Sequence, residues 1–395
     1  MSGLLKILII RNIPTYMEIR GNTYNIQEIG LAKALVRKGQ TCDVLFWTDK
    51  EEETVLVPAG DAKSVQVFYR RGRSFLKNAV FLHCEELYAG YDVLQPCEIN
   101  QLQAWILAGQ YPDKTIIYHG PYYDRFNRRY NMLSHVTDLL FLGRYQRRGT
   151  RFLAKSVPAK EYLVSKGIAD GNICITGVGI DTQMLENRGR SLDADSAEEE
   201  KTAFCETMGR DGSPLRLLYI GRLEERRNIP FLIDIFREVL QKEPGARLYM
   251  IGTGESRYVE MCLQYMEKAN VRDRIVLQER MEQRYLGDIY RLADFFLLPT
   301  RYEIFGMVLL EAMYYGNVVL TTPNGGSGTL IHSKENGLIL DSADPAFWAE
   351  QIFKLNQNPE EKRRIGESAH RTIAEHFTWD MLAEVFLAQY RLVGK

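Results

Sequence analysis

Short apolar runs alternate along the whole chain with longer stretches whose apolar positions recur every three or four residues. In the first half the runs fall at residues 6–11, 42–48, 65–69, 92–95, 115–119, 151–156 and 173–175. In the second half they fall at 215–220, 247–251, 274–277, 294–298, 318–322 and 338–340. Several are apolar on both faces, the pattern of strands buried inside a parallel sheet. Helical spacing marks 24–38, 159–166, 228–240, 282–292 and 307–315, and the last helix is expected at 378–391. In the first of these Ile26, Ile29, Leu31, Ala32 and Leu35 form the apolar stripe, with Asn25 and Glu28 placed as a capping box. Strand and helix alternating twice over predicts an α/β chain with two parallel-sheet domains. A length of 395 residues is too great for one ordinary core and agrees with two.

Composition narrows the class. A chain 45% hydrophobic and 26% charged is globular. Its net charge of −1 supplies no global field toward nucleic acid. The six cysteines form no C-x-x-C pair, so neither a zinc site nor a disulfide framework is expected. Reduced thiols, the lack of a signal peptide at Met1-Ser2-Gly3 and the lack of a long apolar run point to a cytoplasmic protein. Residues 191–200, SLDADSAEEE, are acidic and without periodicity and read as a linker or surface insertion. The expected organisation is a first domain over 1–180, a linker over 181–213, a second domain over 214–376 and a final helix over 377–395. Residues 125–160 hold nine basic side chains against one acid, Asp138.

Chemistry concentrates in residues 299–322, PTRYEIFGMVLLEAMYYGNVVLTT. A buried strand precedes it, Gly306 opens a helix, and a second strand closes it, which makes a βαβ unit. In open α/β sheets ligands sit where strands end and helices begin. Glu303 lies in the loop and Glu311 on an apolar helix. A buried carboxylate needs hydrogen-bond donors. Either Glu311 pairs with an arginine or snorkels to water, or it receives the hydroxyls of a ligand. The helix mouth offers free N–H groups near Gly306, Met307 and Val308 to an anion. Hydroxyl acceptors beside an anion cradle suggest a sugar nucleotide.

Glu303-Ile304-Phe305-Gly306-Met307-Val308-Leu309-Leu310-Glu311 resembles the E-x7-E signature of retaining glycosyltransferases of family 4. The resemblance implies the GT-B fold: two Rossmann-like domains facing a central cleft, with the C-terminal helix crossing back to the first. It implies a retaining, metal-independent transfer from a UDP- or GDP-sugar to a glycan or lipid-linked acceptor, as in surface polysaccharide synthesis. By the same resemblance Arg222 and Arg227 neutralise the leaving pyrophosphate and Glu303 orients the donor sugar. Ile304, Phe305 and Gly306 hold it through their backbone, and Glu311 takes the ribose. Arg227 stands where the family carries a lysine. Gly21-Asn22 stands where it carries a Gly-Gly pair against the donor phosphates. His119, at a strand end, faces the donor sugar's hydroxymethyl in the family, the alternative being a histidine satisfied by backbone. The family's later G-G-x-x-E element reads Gly325-Gly326-Ser327-Gly328-Thr329 here, without the glutamate. Asp193-Ala194-Asp195 fits a metal motif but lies in the linker, so neither metal nor other cofactor is expected. The basic region 125–160 reads as a solvated helix face or as a surface toward an anionic membrane, which would place the protein at the inner face of the cell membrane. No nucleic-acid module is recognisable. Two rivals remain: a sugar-nucleotide epimerase of the same architecture, and a catalytically silent binding subunit.

Overall fold

The computed structural model describes residues 3–20, 26–60, 63–75, 78–126, 128–186, 203–209 and 212–394. The chain divides into two compact units. One takes the described residues up to Asp181 and those from Phe377 onward, the other spans Thr182–His376.

The first unit opens with β1 (Lys6–Arg11), α1 (Gln27–Arg37), β2 (Thr41–Thr48), β3 (Glu53–Gly60), β4 (Lys63–Phe75), β5 (Asn78–Phe81) and α2 (Glu85–Ala89). β6 (Val93–Pro96), α3 (Leu102–Gln110), β7 (Ile116–His119), α4 (Arg128–Arg148), β8 (Arg151–Ala154), α5 (Val157–Ser165) and β9 (Ile173–Ile175) complete its sheet. The strand order is β3-β4-β2-β1-β6, with β5 on β4, and β7-β8-β9 continue it. Parallel bridges Leu94–Thr115 and Cys97–Tyr118 join the two parts. Ile7, Leu8, Ile9 and Ile10 of β1 are all buried because helices cover both faces of this central strand.

Two strands differ from the sequence expectation. β3 carries Pro58, which counts against a strand, yet β3 is antiparallel and bonds only to β4. A proline is tolerated on such an edge. β4 is longer than the predicted 65–69 because its far end folds against β5. The capping box is also not formed as expected. α1 starts after Ile26 without a side-chain cap, and the Glu28 carboxylate accepts from Arg11 Nη1 at 2.9 Å. Asn25 lies outside the described residues.

The second unit contains α6 (Thr182–Glu186), α7 (residues 203–209), β10 (Arg216–Ile220), α8 (Ile229–Lys242), β11 (Arg247–Ile251), α9 (Ser256–Lys268) and β12 (Ile275–Gln278). It continues through α10 (Gln283–Leu292), β13 (Phe295–Leu298), α11 (Met307–Tyr314), β14 (Val318–Thr321), α12 (Ser327–Leu330), β15 (Leu338–Ile339), α13 (Pro345–Asn356) and α14 (Pro359–His376). Its sheet is wholly parallel in the order β12-β11-β10-β13-β14-β15. Counted from β10, that is 3-2-1-4-5-6, the doubly wound order. The topological switch falls between β10 and β13, so the loops after these two strands frame the expected ligand position.

The last helix, α15 (Trp379–Tyr390), belongs to the first unit. Ile180 and Trp379 exchange backbone hydrogen bonds around this junction: Ile180 N donates to Phe377 O at 3.0 Å and Trp379 N to Ile180 O at 3.1 Å. Trp379 is buried against α1, where a Cβ on Gly30 would stand 2.3 Å from its indole nitrogen. Arg37 grips Asp380 through Nε and Nη2 at 2.8 and 2.9 Å, and the Tyr390 hydroxyl donates to Gln95 at 2.5 Å. Among the described residues no helix is long and apolar enough to cross a membrane.

Candidate active site

The loop after β10 is Gly221-Arg222-Leu223-Glu224, followed by a 3-10 turn over Glu225–Arg227. Asn228 then adopts a left-handed backbone, φ 56°, and opens α8. This loop is zipped to the one after β11: Gly221 N donates to Ile251 O and Leu223 N to Thr253 O, at 3.0 and 2.9 Å. Gly252 and Gly254 let the two backbones touch, since a Cβ there would stand 1.8 Å from Gly221 O and 1.9 Å from Leu223 O. The Gly252-Thr253-Gly254 pair of glycines is thus explained by close backbone packing.

The loop after β13 is tied to the first by one carbonyl. Arg226 O accepts from Arg301 N at 2.7 Å, and Thr300 Oγ1 lies 3.0 Å from it. The side chains follow. Arg227 Nη1 pairs with Glu303 Oε2, and each of these side chains is 11% exposed. Arg226 sits 3.5 Å from the same carboxylate oxygen, with its Nε 2.7 Å from Glu224. Burial lowers the Arg227 pKa, but Glu303, Tyr219 and Glu224 outweigh it and raise it above its ordinary value. Arg222 is mostly exposed, its Nε 4.0 Å from Glu224. Of the two arginines expected to serve one pyrophosphate, one is open to solvent and the other is neutralised by the glutamate expected on the sugar.

Glu303 also bonds its own loop, accepting from Ile304 N through Oε1 at 3.0 Å. Gly306 takes φ 82°, which a side chain disfavours, and starts α11 at Met307. The Gly325-Gly326 pair clamps the loop from the far side. Gly325 N donates to Glu303 O at 3.1 Å, and a Cβ on Gly326 would stand 1.5 Å from Phe305 O. The family element that lacks its glutamate here is therefore a buttress for residues 303–305.

Glu311 is buried on α11. Its Oε1 accepts from Gln283 Nε2 at 2.8 Å and its Oε2 from the Tyr290 hydroxyl at 3.1 Å. Burial pushes its carboxyl up to about 7, against the smaller opposite effect of these two donors. It neither snorkels nor pairs with an arginine in these contacts. Gln283 and Tyr290, both from α10, hold its carboxylate; the sequence pattern does not reveal them, because their helix reaches Glu311 only through the fold. Glu224 and Arg226 were also missed, although the run Glu224-Glu225-Arg226-Arg227 is a visible signal.

In the first unit His119 ends β7, fully buried, with its ring 5.3 Å from Tyr162 in a stack. Its Nδ1 lies 2.8 Å from Glu98 Oε2. Glu98 has φ 63°, takes the Gly120 N–H at 3.2 Å and lies 3.9 Å from Lys155 Nζ. Burial would raise the Glu98 carboxyl; His119, Lys155 and the Gly120 N–H together hold it below its ordinary value. Ile99 N also approaches His119 Nδ1, at 3.4 Å. The shorter carboxylate contact assigns the Nδ1 proton to the Glu98 bond. His119 Nε2 is buried without a hydrogen-bond partner. His119 is thus satisfied at Nδ1 by a side chain, not by backbone, and Glu98 is a residue the sequence did not single out. Gly21 and Asn22 lie outside the described residues, as do Asp193 and Asp195. Among the described residues no group of His, Cys, Asp and Glu is arranged to hold a metal, and all six cysteines are free.

The structure disperses the basic region. Arg144 lies over the Trp105 ring at 3.3 Å, Lys160 pairs with Asp170 at 2.8 Å, and Lys155 faces Glu98. Arg125, Arg128, Arg147 and Arg148 stay exposed.

Comparison with known proteins places this geometry. Residues 202–372 match the family described as Glycosyl transferases group 1. The D-inositol 3-phosphate glycosyltransferase of Segniliparus rotundus is 29% identical over 196 residues, which cover 49% of this chain and 43% of that protein. The mannosylfructose-phosphate synthase of Agrobacterium fabrum is 28% identical over 178 residues, 44% of this chain and 39% of that protein. The chain thus spans about half the length, or less, of the curated relatives it matches. Among solved structures, Anabaena HepE in complex with UDP superposes with a TM-score of 0.72 at 13% identity, covering 98% of this chain and 100% of that one. The fold is GT-B, and the family match falls within the second unit.

Proposed function

We propose that the protein transfers a sugar from a nucleotide diphosphate sugar to a glycan or lipid-linked acceptor, with retention of anomeric configuration and without a metal ion. The observation that carries this reading is the cluster at the switch point of the second sheet. There the loops after β10 and β13 bring Arg227 and Glu303, both buried, and the half-buried Arg226 into one ion-paired group, beside the start of α11. The family match over 202–372, the name glycosyltransferase among similar proteins and the UDP and UDP-glucose bound to the structurally similar HepE support it.

Breaking the glycosyl–phosphate bond leaves negative charge on the departing diphosphate and positive charge on the sugar ring. Arg222, Arg227 and the first N–H groups of α11, at Met307 and Val308, meet the negative charge. For this, Arg227 exchanges its Glu303 contact for a phosphate oxygen. The freed Glu303 accepts a sugar hydroxyl, while the backbone of Ile304, Phe305 and Gly306 lines the sugar. Donor binding and liberation of the Glu303 carboxylate are then one event. The acceptor hydroxyl forms its bond to the anomeric carbon on the face the diphosphate leaves, and its proton passes to the leaving phosphate oxygen. No protein base is used. Glu311 accepts the ribose hydroxyls.

A thermal-shift panel of UDP- and GDP-sugars tests the donor. A ligand at a hundred times its dissociation constant adds ~2.7 kcal/mol of stability. A panel in which no nucleotide sugar raises the melting temperature would remove the reading.

A further inference from the structure

Helix α4 has two apolar sides. One belongs to the core of the first unit: Phe141 and Tyr145 are buried with Ala104, Ala108 and Phe152. The other is uncovered. Met132, Val136, Leu139 and Leu140 are 64, 59, 89 and 66% exposed. Steps of three and four place them in one line along the helix. Continuing the line by the same steps leads back to Arg128 and forward through Gly143 to Arg147. The exposed arginines at its two ends stand about 28 Å apart along the axis. Arg125, just before the helix, adds exposed charge at its first end. The helix contains one acid, Asp138, and it is turned inward to Lys166 and Tyr123.

An aliphatic line of this size is costly in water and calls for a cover. We propose that this side of α4 lies on an anionic bilayer. The four aliphatic side chains enter the boundary between headgroups and acyl chains, and Arg125, Arg128 and Arg147 meet lipid phosphates. Helices that lie in the interface combine these two features, and each arginine near an anionic surface adds to the attraction. A protein partner is disfavoured by the side chains themselves. Binding energy at protein interfaces concentrates in Trp, Tyr and Arg, while Leu and Val are under-represented, and this line contains no aromatic ring. The inference supplies a partner for the lipid-linked acceptor of the reading above, but its test measures binding and not transfer.

The test is flotation of the full chain with vesicles of phosphatidylcholine, alone or mixed with phosphatidylglycerol, at low and high salt. The wild type should float with the anionic vesicles at low salt, and more weakly at high salt as the arginine contribution is screened. Leu139→Glu with Leu140→Glu should weaken binding at least tenfold, and Leu139→Ser with Leu140→Ser should weaken it less. Arg128→Glu with Arg147→Glu should abolish the preference for anionic over neutral vesicles. All these positions are exposed, so melting temperatures and their response to nucleotide sugars should stay at wild-type values. Wild type left in the soluble fraction at low salt, or a double Glu variant at Leu139 and Leu140 that floats like wild type, overturns the proposal. So does a wild-type dimer in light scattering that the same variant converts to monomer, because the line would then be covered by a second copy. Loss of the response to nucleotide sugars would count against the transfer reading alone.

Discussion

Glu311 and Glu303 are both buried carboxylates, and their surroundings treat them differently. Glu311 is held by two neutral donors, Gln283 and Tyr290, and titrates near 7. Its folded value lies above its ordinary one, so the folded state holds a proton that the unfolded chain has already lost. Its stability contribution is therefore greatest at low pH, falls as pH rises from about 4.5 to about 7, and is level above that. The full difference amounts to roughly 3 kcal/mol. Glu311→Gln should gain stability relative to wild type across that window, read by urea titration at a series of pH values. A constant difference between the two proteins would show that the carboxyl is not raised. The same variant should bind a nucleotide sugar more weakly, since an amide is a poorer acceptor for two ribose hydroxyls. Glu303 instead faces Arg227 across a buried ion pair. Removing either partner leaves the other buried charge with only its more distant neighbour, Arg226 for Glu303 or Glu224 for Arg227, and should cost about 3 kcal/mol, while removing both should cost less than the sum. A double-mutant cycle of Arg227→Met and Glu303→Gln, followed by urea unfolding, measures this; additive losses would mean that the pair is not coupled. Arg222→Ala should leave stability unchanged, since the side chain is exposed, and lower turnover by about 100-fold. The residues named from the sequence lie in one short segment or at strand ends. Of those missed, Glu98, Gln283 and Tyr290 come from chain positions brought near only by the fold, whereas Glu224 and Arg226 adjoin Arg227 in the sequence itself.

At the level of elements, the unit β13–loop–α11–β14 was legible because apolar runs, Gly306 and Gly316 mark its boundaries. β3 was hidden by Pro58, and α4 by its two apolar sides, which blur a single stripe. The role of Gly325-Gly326 was also hidden, because it depends on the backbone of residues 303–305. Gly326→Ala should push that loop outward, since no side-chain adjustment relieves a clash with the Phe305 carbonyl. The expected result is a loss of about 2 kcal/mol or more in stability and a raised Kd for the donor. Wild-type values in both would mean that the two backbones are not in contact. Gly328→Ala, where a Cβ meets nothing within 4 Å, serves as the control.

For the whole molecule, the parallel order of the second sheet accounts for where chemistry collects, and α15 accounts for how the first unit is completed. Trp379, Phe386, Leu387 and Tyr390 are buried in that unit, so a chain ending at His376 should lose its first unit to proteolysis while the second persists. Two α/β units follow from the alternation of runs along the sequence, although only the second is wholly parallel, since β3 and β5 of the first run antiparallel to β4; which charged side chains face one another does not follow, because pairing depends on loop geometry at the sheet's edge. The chemistry proposed for that edge places departure and attack on one face of the sugar and needs neither metal nor protein base. The most direct measurement is the anomeric configuration of the transferred sugar, followed by NMR with EDTA present and a nucleotide sugar identified by thermal shift. The account predicts a product with the donor's own anomeric configuration and an undiminished rate. An inverted product, an epimerised nucleotide sugar in place of transfer, or activity abolished by EDTA would contradict it.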